Sequence, residues 1–243
     1  MNGVLRCSRY AFGPNRLHYC GPDKNREIFS HISEGEAGEG LTELLTQFET
    51  MYPYLSHIAE ANNIQDPLSD KVVEAYWIGN SLLEQVSKQK LYEHLRDKLR
   101  LKDKLGAKSF DLVTEKIGQG ALPHHSFHVL DIWKRTGKEE REHSIENISE
   151  CLVQVGKIIS VSGPFIIVET EPVLYEKGKL TIGMPIQKNI LRQLESDYDI
   201  EQLKSGDLVS IHWSVICEKI TQRQAENLRK YTNRHIDLAN ETI

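Results

Sequence analysis

No stretch of this chain approaches the roughly 18 consecutive apolar residues that a bilayer-crossing helix needs, so no membrane partner is expected. Basic residues are not in excess: 30 Lys+Arg face 35 Asp+Glu, a net charge of −5. A dedicated nucleic-acid binder ordinarily shows a basic face, and none is expected. The opening Met1-Asn-Gly-Val-Leu-Arg lacks the basic region and long apolar core of a secretory signal, so the expected location is cytoplasmic. The four cysteines (Cys7, Cys20, Cys151, Cys217) lie far apart with no C-x-x-C. A cytosolic chain of this size does not need disulfides, and reduced thiols are expected. Such a thiol is free to bind a soft metal or a partner.

What is present suits one large domain or two modest ones: 243 residues, 39% hydrophobic and 27% charged. Residues 3–12 carry Val4, Leu5, Ser8 and Phe12 at helical spacing, and Gly13-Pro14 predicts a stop. A second Gly-Pro pair at 21–22 bends the next segment, and Asp23 reads as the cap of a helix to about Ser33. The loop between carries Arg16, His18, Tyr19 and Cys20, either a packed connector or a ligand-contact loop. Amphipathic stripes predict helices over Leu41–Thr50 and Pro53–Asn62, then around Val72–Trp77, Leu82–Val86, Lys88–Lys104 and Phe110–Ile117.

Leu122-Pro-His-His-Ser-Phe-His128 comes next, with three imidazoles in five residues. On a helix, His124 and His128 share a face, and so do His125 and His128. One-turn spacing lets two rings converge on one transition-metal ion. A strand would divide them between faces, leaving hydrogen-bonded structural histidines near a domain seam. Both readings stay open. Lys134–Glu150 is highly charged and reads as a solvated linker or short exposed helix.

From Cys151 the apolar period changes to two. Val153, Val155, Ile158 and Val161 predict a first strand starting at the cysteine, and Phe165–Thr170 a second across a Ser162-Gly163-Pro164 turn. Glu176-Lys-Gly-Lys179 is another turn, Lys188–Glu195 a further strand, and Leu208–Trp213 the last before a helix capped by Thr221 with Gln224 as a capping box. The expected fold class is α+β: a mainly α-helical domain of unknown function over 1–138, a linker over 139–150, and a small OB-like β-barrel with a C-terminal helix over 151–243.

Two motifs in that second half, Cys151-Leu152 with Gly156-Lys157, and Gly206-Asp207-Leu-Val209-Ser-Ile211-His212 followed by Glu218-Lys219, resemble the HypC/HupF family of [NiFe]-hydrogenase maturation chaperones. The likeness covers about 90 residues. It implies that Cys151 holds the iron of an Fe(CN)2CO unit, that His212 supports it, and that the partner is a hydrogenase large subunit or another maturation protein. Cys151 lies internally, behind the helical half, which fits a fusion. The N-terminal half, through Arg9–Asn15, Glu74–Trp77 and Leu122–His128, resembles an uncharacterised helical family. Beyond iron, a second transition metal is expected at His124, His125 and His128, with His18 and Cys20. The competing expectation is a metal-dependent enzyme whose histidine cluster lies in the helical half, the barrel serving as a docking module. The plainest expectation is an interaction module without metal.

Overall fold

Asn2 starts the first helix, its Oδ1 accepting from the N–H groups of Val4 and Leu5 at 2.9 and 3.3 Å. The structure, a computed structural model, describes residues 1–133, 144–191 and 202–243. α1 (Gly3–Arg16) does not stop at Gly13-Pro14 but runs through both. Pro14 has no N–H to give the Tyr10 carbonyl one turn back. That carbonyl instead accepts from His212 Nδ1 at 2.7 Å. Gly13 allows the approach, since a Cβ there would stand 2.6 Å from the His212 carbonyl oxygen.

The helical reading of the first half holds in outline: α2 (Asn25–Glu34), α3 (Glu39–Thr46), α4 (Met51–Ala61), α5 (Asp70–Trp77), α6 (Lys88–Glu93), α7 (Leu101–Gln119) and α8 (His125–Phe127). Lys24, not Asp23, stands at the N-cap position of α2, with no side-chain capping hydrogen bond. Lys88–Lys104 is not one helix. α6 passes into a π turn at His94–Lys98, the chain reverses at Arg100 (φ 51°), and Gly106 (φ 74°) kinks α7, whose part beyond the kink holds the helix expected at 110–117. The wider π turn helps an apolar series four residues apart stay on one side, and Leu91, Leu95 and Leu99 are all buried. Residues 122–133 take the helical alternative, α8 continuing as a second π turn, His128–Ile132.

α9 (Ile145–Cys151) is capped by Ser144 and places Ile145, Ile148 and Leu152 on a small apolar cluster with Val173, Leu180 and Ile236. Cys151 therefore ends a helix and does not begin a strand. The described part of the expected linker is this partly buried helix; residues 134–143 lie outside the described residues. The strands are β1 (Gln154–Ser162), β2 (Phe165–Thr170), β3 (Val173–Glu176), β4 (Lys179–Ile182), β5 (Ile186–Leu191), β6 (Leu208–His212) and β7 (Val215–Lys219). Five form an antiparallel sheet in the order β5-β2-β1-β6-β7; β3 and β4 make a separate hairpin turning at Lys177 and Gly178, both at positive φ. The strand expected through Glu195 is described only as far as Leu191, and residues 192–201 lie outside the described residues. Among the described residues the sheet has two edges, β5 and β7, and no closed barrel. α10 (Gln222–Asn240) carries the expected Thr221–Gln224 capping box.

Buried polar bonds seat α1 against the sheet. Arg6 reaches Glu218 at 2.8 Å, and Asp70 and Glu74 of α5 each at 3.1 Å. The Tyr10 hydroxyl donates to Glu218 at 2.6 Å and lies 2.8 Å from Ser210 Oγ. One cluster of buried side chains runs from Cys7 and Tyr10 through Ile158, Ile166 and Val209 to Leu228 and Tyr231. The fold is mixed α and β, its halves packed on each other.

Candidate metal centre

Three side chains meet where α8, α9 and the end of β6 converge. The ligand atoms of His125, Cys151 and His212 all lie within 4.8 Å of one another. Pro123 and the His124 cap set the start of α8, so His125 points across to α9. Its Nδ1 is 3.2 Å from the Tyr76 hydroxyl, and its Nε2 is 2.8 Å from the Cys151 carbonyl. His212 enters from the opposite side, its Nδ1–H donating to the carbonyl that Pro14 leaves free. Its Nε2 also faces the Cys151 carbonyl, at 3.0 Å. The two rings stand edge to face, centroids 5.2 Å apart, and Trp77 packs on His125 at 4.4 Å and on His212 at 5.2 Å.

The proton count at this point favours a cation. His125 is satisfied as a neutral ring, Tyr76 donating to Nδ1 and Nε2–H donating to the carbonyl. His212 is not: a neutral ring has one proton for two carbonyls, and with that proton on Nδ1, at the shorter contact, the Nε2 lone pair confronts the Cys151 oxygen. An ion among the three atoms would take that lone pair. The rings could then anchor Nδ1–H on the Tyr10 carbonyl and the Tyr76 oxygen, the outer arrangement that metal-binding histidines usually have.

Burial pushes His212 down to about 4 and His125 well below its ordinary value, so both rings are neutral near pH 7, the form that ligates. Burial, and then the nearby Cys20 thiol, push Cys151 up to about 12, while the Trp213 indole N–H draws it partly back. An incoming ion must displace that proton. Trp213 and Ser214 turn β6 into β7 with φ of 50° and 56°, costly for residues with side chains. Trp213 is held by Tyr19, its ring at 4.3 Å, by Arg16 on its carbonyl, and by the Glu150 carbonyl on its N–H.

The three atoms open onto a cavity of about 400 Å³ lined by aromatic and sulfur-bearing side chains, among them Phe48, Met51, Tyr76 and Trp133. Cys20 and His128 line it too. The His128 ring packs edge-on against Tyr54, and its Nδ1 has no hydrogen-bond partner among the described residues. Burial, with Lys104 nearby, lowers His128 to about 4. His124 and His18 are not brought here. His124 turns away, its Nδ1 2.7 Å from Ser126 Oγ and its ring stacked near Tyr231 and His235. His18 is exposed and pairs with Asp23 at 3.2 Å. The histidine cluster thus divides, and only His125 joins Cys151 and His212. Cys217 is a buried thiol near the Arg9 and Val215 carbonyls.

Sequence reading missed the outer groups: Tyr76, Trp77 and the Tyr10 carbonyl. Their one visible signal is the aromatic pair Tyr76-Trp77 just before Gly79. The whole chain, residues 1–243, matches the model of a family of unknown function, DUF6390. The chain belongs to that family. No curated protein and no solved structure matches it. In this DUF6390 member, no helix among the described residues is long and apolar enough to cross a membrane.

Proposed function

We propose that this protein is an accessory factor that holds a metal fragment at Cys151, His212 and His125 and presents it to a partner. The observation that carries this reading is the meeting of one sulfur and two imidazole nitrogens within 4.8 Å beside a cavity. A thiolate and two neutral imidazoles suit a borderline transition metal. The HypC/HupF resemblance makes iron the first candidate and a hydrogenase large subunit, or another maturation protein, the partner. His125 is what the helical half adds to the Cys151–His212 pair. An OB-like barrel is part of the same reading, supported by the sheet order and by the approach of its edge strands β5 and β7. Four cysteines outside any disulfide suit a cytoplasmic, reducing setting. The test is anaerobic loading with Fe(II) followed by metal analysis: one ion per chain is expected, lost in Cys151→Ala and His212→Ala while the melting curve persists. Undiminished loading in both variants would reject the proposal.

A second reading is a metal-dependent enzyme. What favours it is that three protein ligands leave coordination positions facing a cavity of about 400 Å³, as catalytic metal sites do. The centre then belongs to the seam of the two halves, since His124 points elsewhere. Turnover of a small substrate by the loaded chain without any partner would select this reading; transfer of the ion to a hydrogenase subunit would select the first.

A further inference from the structure

A second cysteine lines the same chamber. Cys20 lies on the loop after α1, partly buried, and lines the cavity with Cys151, His125 and His212. Its backbone is fixed from several directions. Asn15 Nδ2 donates to the carbonyls of Cys20 and Pro22, each at 2.8 Å. Tyr19 on one side packs against Trp213. Gly21 on the other takes φ +83°, and a Cβ there would come within 2.3 Å of the Phe48 ring. The loop therefore holds the Cys20 backbone beside the chamber, its thiol near enough to act on that of Cys151.

Two buried groups already point to a ligand at this spot. His212, 1% exposed, faces a carbonyl with its Nε2. Trp213, 5% exposed, aims its indole N–H at the Cys151 thiol, where it favours the thiolate that an ion would hold. Three ligands leave a tetrahedral ion one short.

We propose that Cys20 swings onto the metal as a fourth ligand, completing a shell of two imidazoles and two thiolates. The inference rests on the metal reading above and adds a closed state to it. On binding a divalent ion, the Cys20 and Cys151 thiols each lose a proton to solvent, and two metal–sulfur bonds form. A tetrahedral N2S2 shell suits a ferrous ion as well as zinc, and Co(II) serves as its spectroscopic probe. With Cys20 turned away, the fourth position opens to the aromatic chamber, where an incoming ligand or a client's side chain can take the ion. Cys20 is thus the hinge between holding and releasing.

The experiment is Co(II) titration of the full-length reduced protein, read by the sulfur-to-cobalt charge-transfer band and by X-ray absorption. Two sulfurs at about 2.3 Å are expected in the unaltered chain. Cys20→Ser should leave one sulfur, reduce the band to about half, and weaken Co(II) binding at least about tenfold. Cys20→Ala repeats the count without a hydroxyl that could substitute, and melting curves of both variants check that the fold persists. One sulfur in the unaltered chain, or a band that Cys20→Ser leaves unchanged, overturns the proposal while the three-ligand centre stands. A chain that binds no Co(II) at all overturns both.

Discussion

Gly13 shows how a single atom could decide the site. In an unhindered helix, replacing glycine by alanine stabilises by roughly 1 kcal/mol. Here the added methyl would collide with the His212 carbonyl, a backbone atom that cannot rotate away. Overpacking of this kind costs about 1–3 kcal/mol, so the collision outweighs the helical gain. Gly13→Ala is expected to lower stability, measured by urea unfolding, and to weaken metal binding together with it. A stabilised variant with unchanged binding would show that α1 does not position His212. Cys151 and His212 were legible from their motifs. Gly13-Pro14 was not, because the same dipeptide ends a helix in isolation and docks one when a histidine supplies the missing hydrogen. His124 and His125 are neighbours of identical chemistry, and only the local cap at α8 decides which of them faces the cavity.

Among the elements, the α8 segment depends on a buried ion pair. Lys116 of α7 bonds Asp131 in the second π turn and Thr242 near the C-terminus, with Lys116 and Asp131 essentially inaccessible to solvent. Removing one partner strands the other charge, at a cost of about 3–5 kcal/mol. Lys116→Met should therefore destabilise strongly. Lys116→Met combined with Asp131→Leu should recover most of the loss, and equal denaturation midpoints for the single and double variants would refute the coupling. Most of the helices and strands could be placed from apolar spacing, and the hairpins at Gly163-Pro164 and Lys177-Gly178 from their turn residues. The π turns could not, since apolar spacing does not tell a single wider turn from the α-helix it continues. α9 was legible only as one of two readings, because its cap lies just past a charged stretch that suits a solvated linker equally well.

At the level of the whole molecule, seven histidines are held below their ordinary value, with burial the largest cause for each: His57, His94, His124, His125, His128, His212 and His235. His57 falls to about 4 and His94 to about 3, their rings stacked at 4.4 Å in the interior. The direction of the effect is set by proton uptake. Below about pH 6.5 the unfolded chain protonates these rings and the folded chain does not. The stability they contribute is complete above that pH and falls as acid is added, by up to about 1.4 kcal/mol per pH unit for each ring. Several rings acting together would exhaust a typical 5–15 kcal/mol within one or two pH units. Acid unfolding is expected with a midpoint near pH 5, tracked by circular dichroism, and His57→Phe with His94→Phe should shift it downward. A flat stability profile from pH 7 to 4 would contradict this.

The hydrogen bond between Tyr10 and His212 joins residues 202 positions apart, and His125 and Cys151 wait 26 and 61 positions for their partners. A nascent chain leaving the ribosome therefore has no centre to fill until β6, among its last strands, has emerged. Under the metal reading, whatever supplies the ion must wait until the chain as far as His212 has emerged and folded.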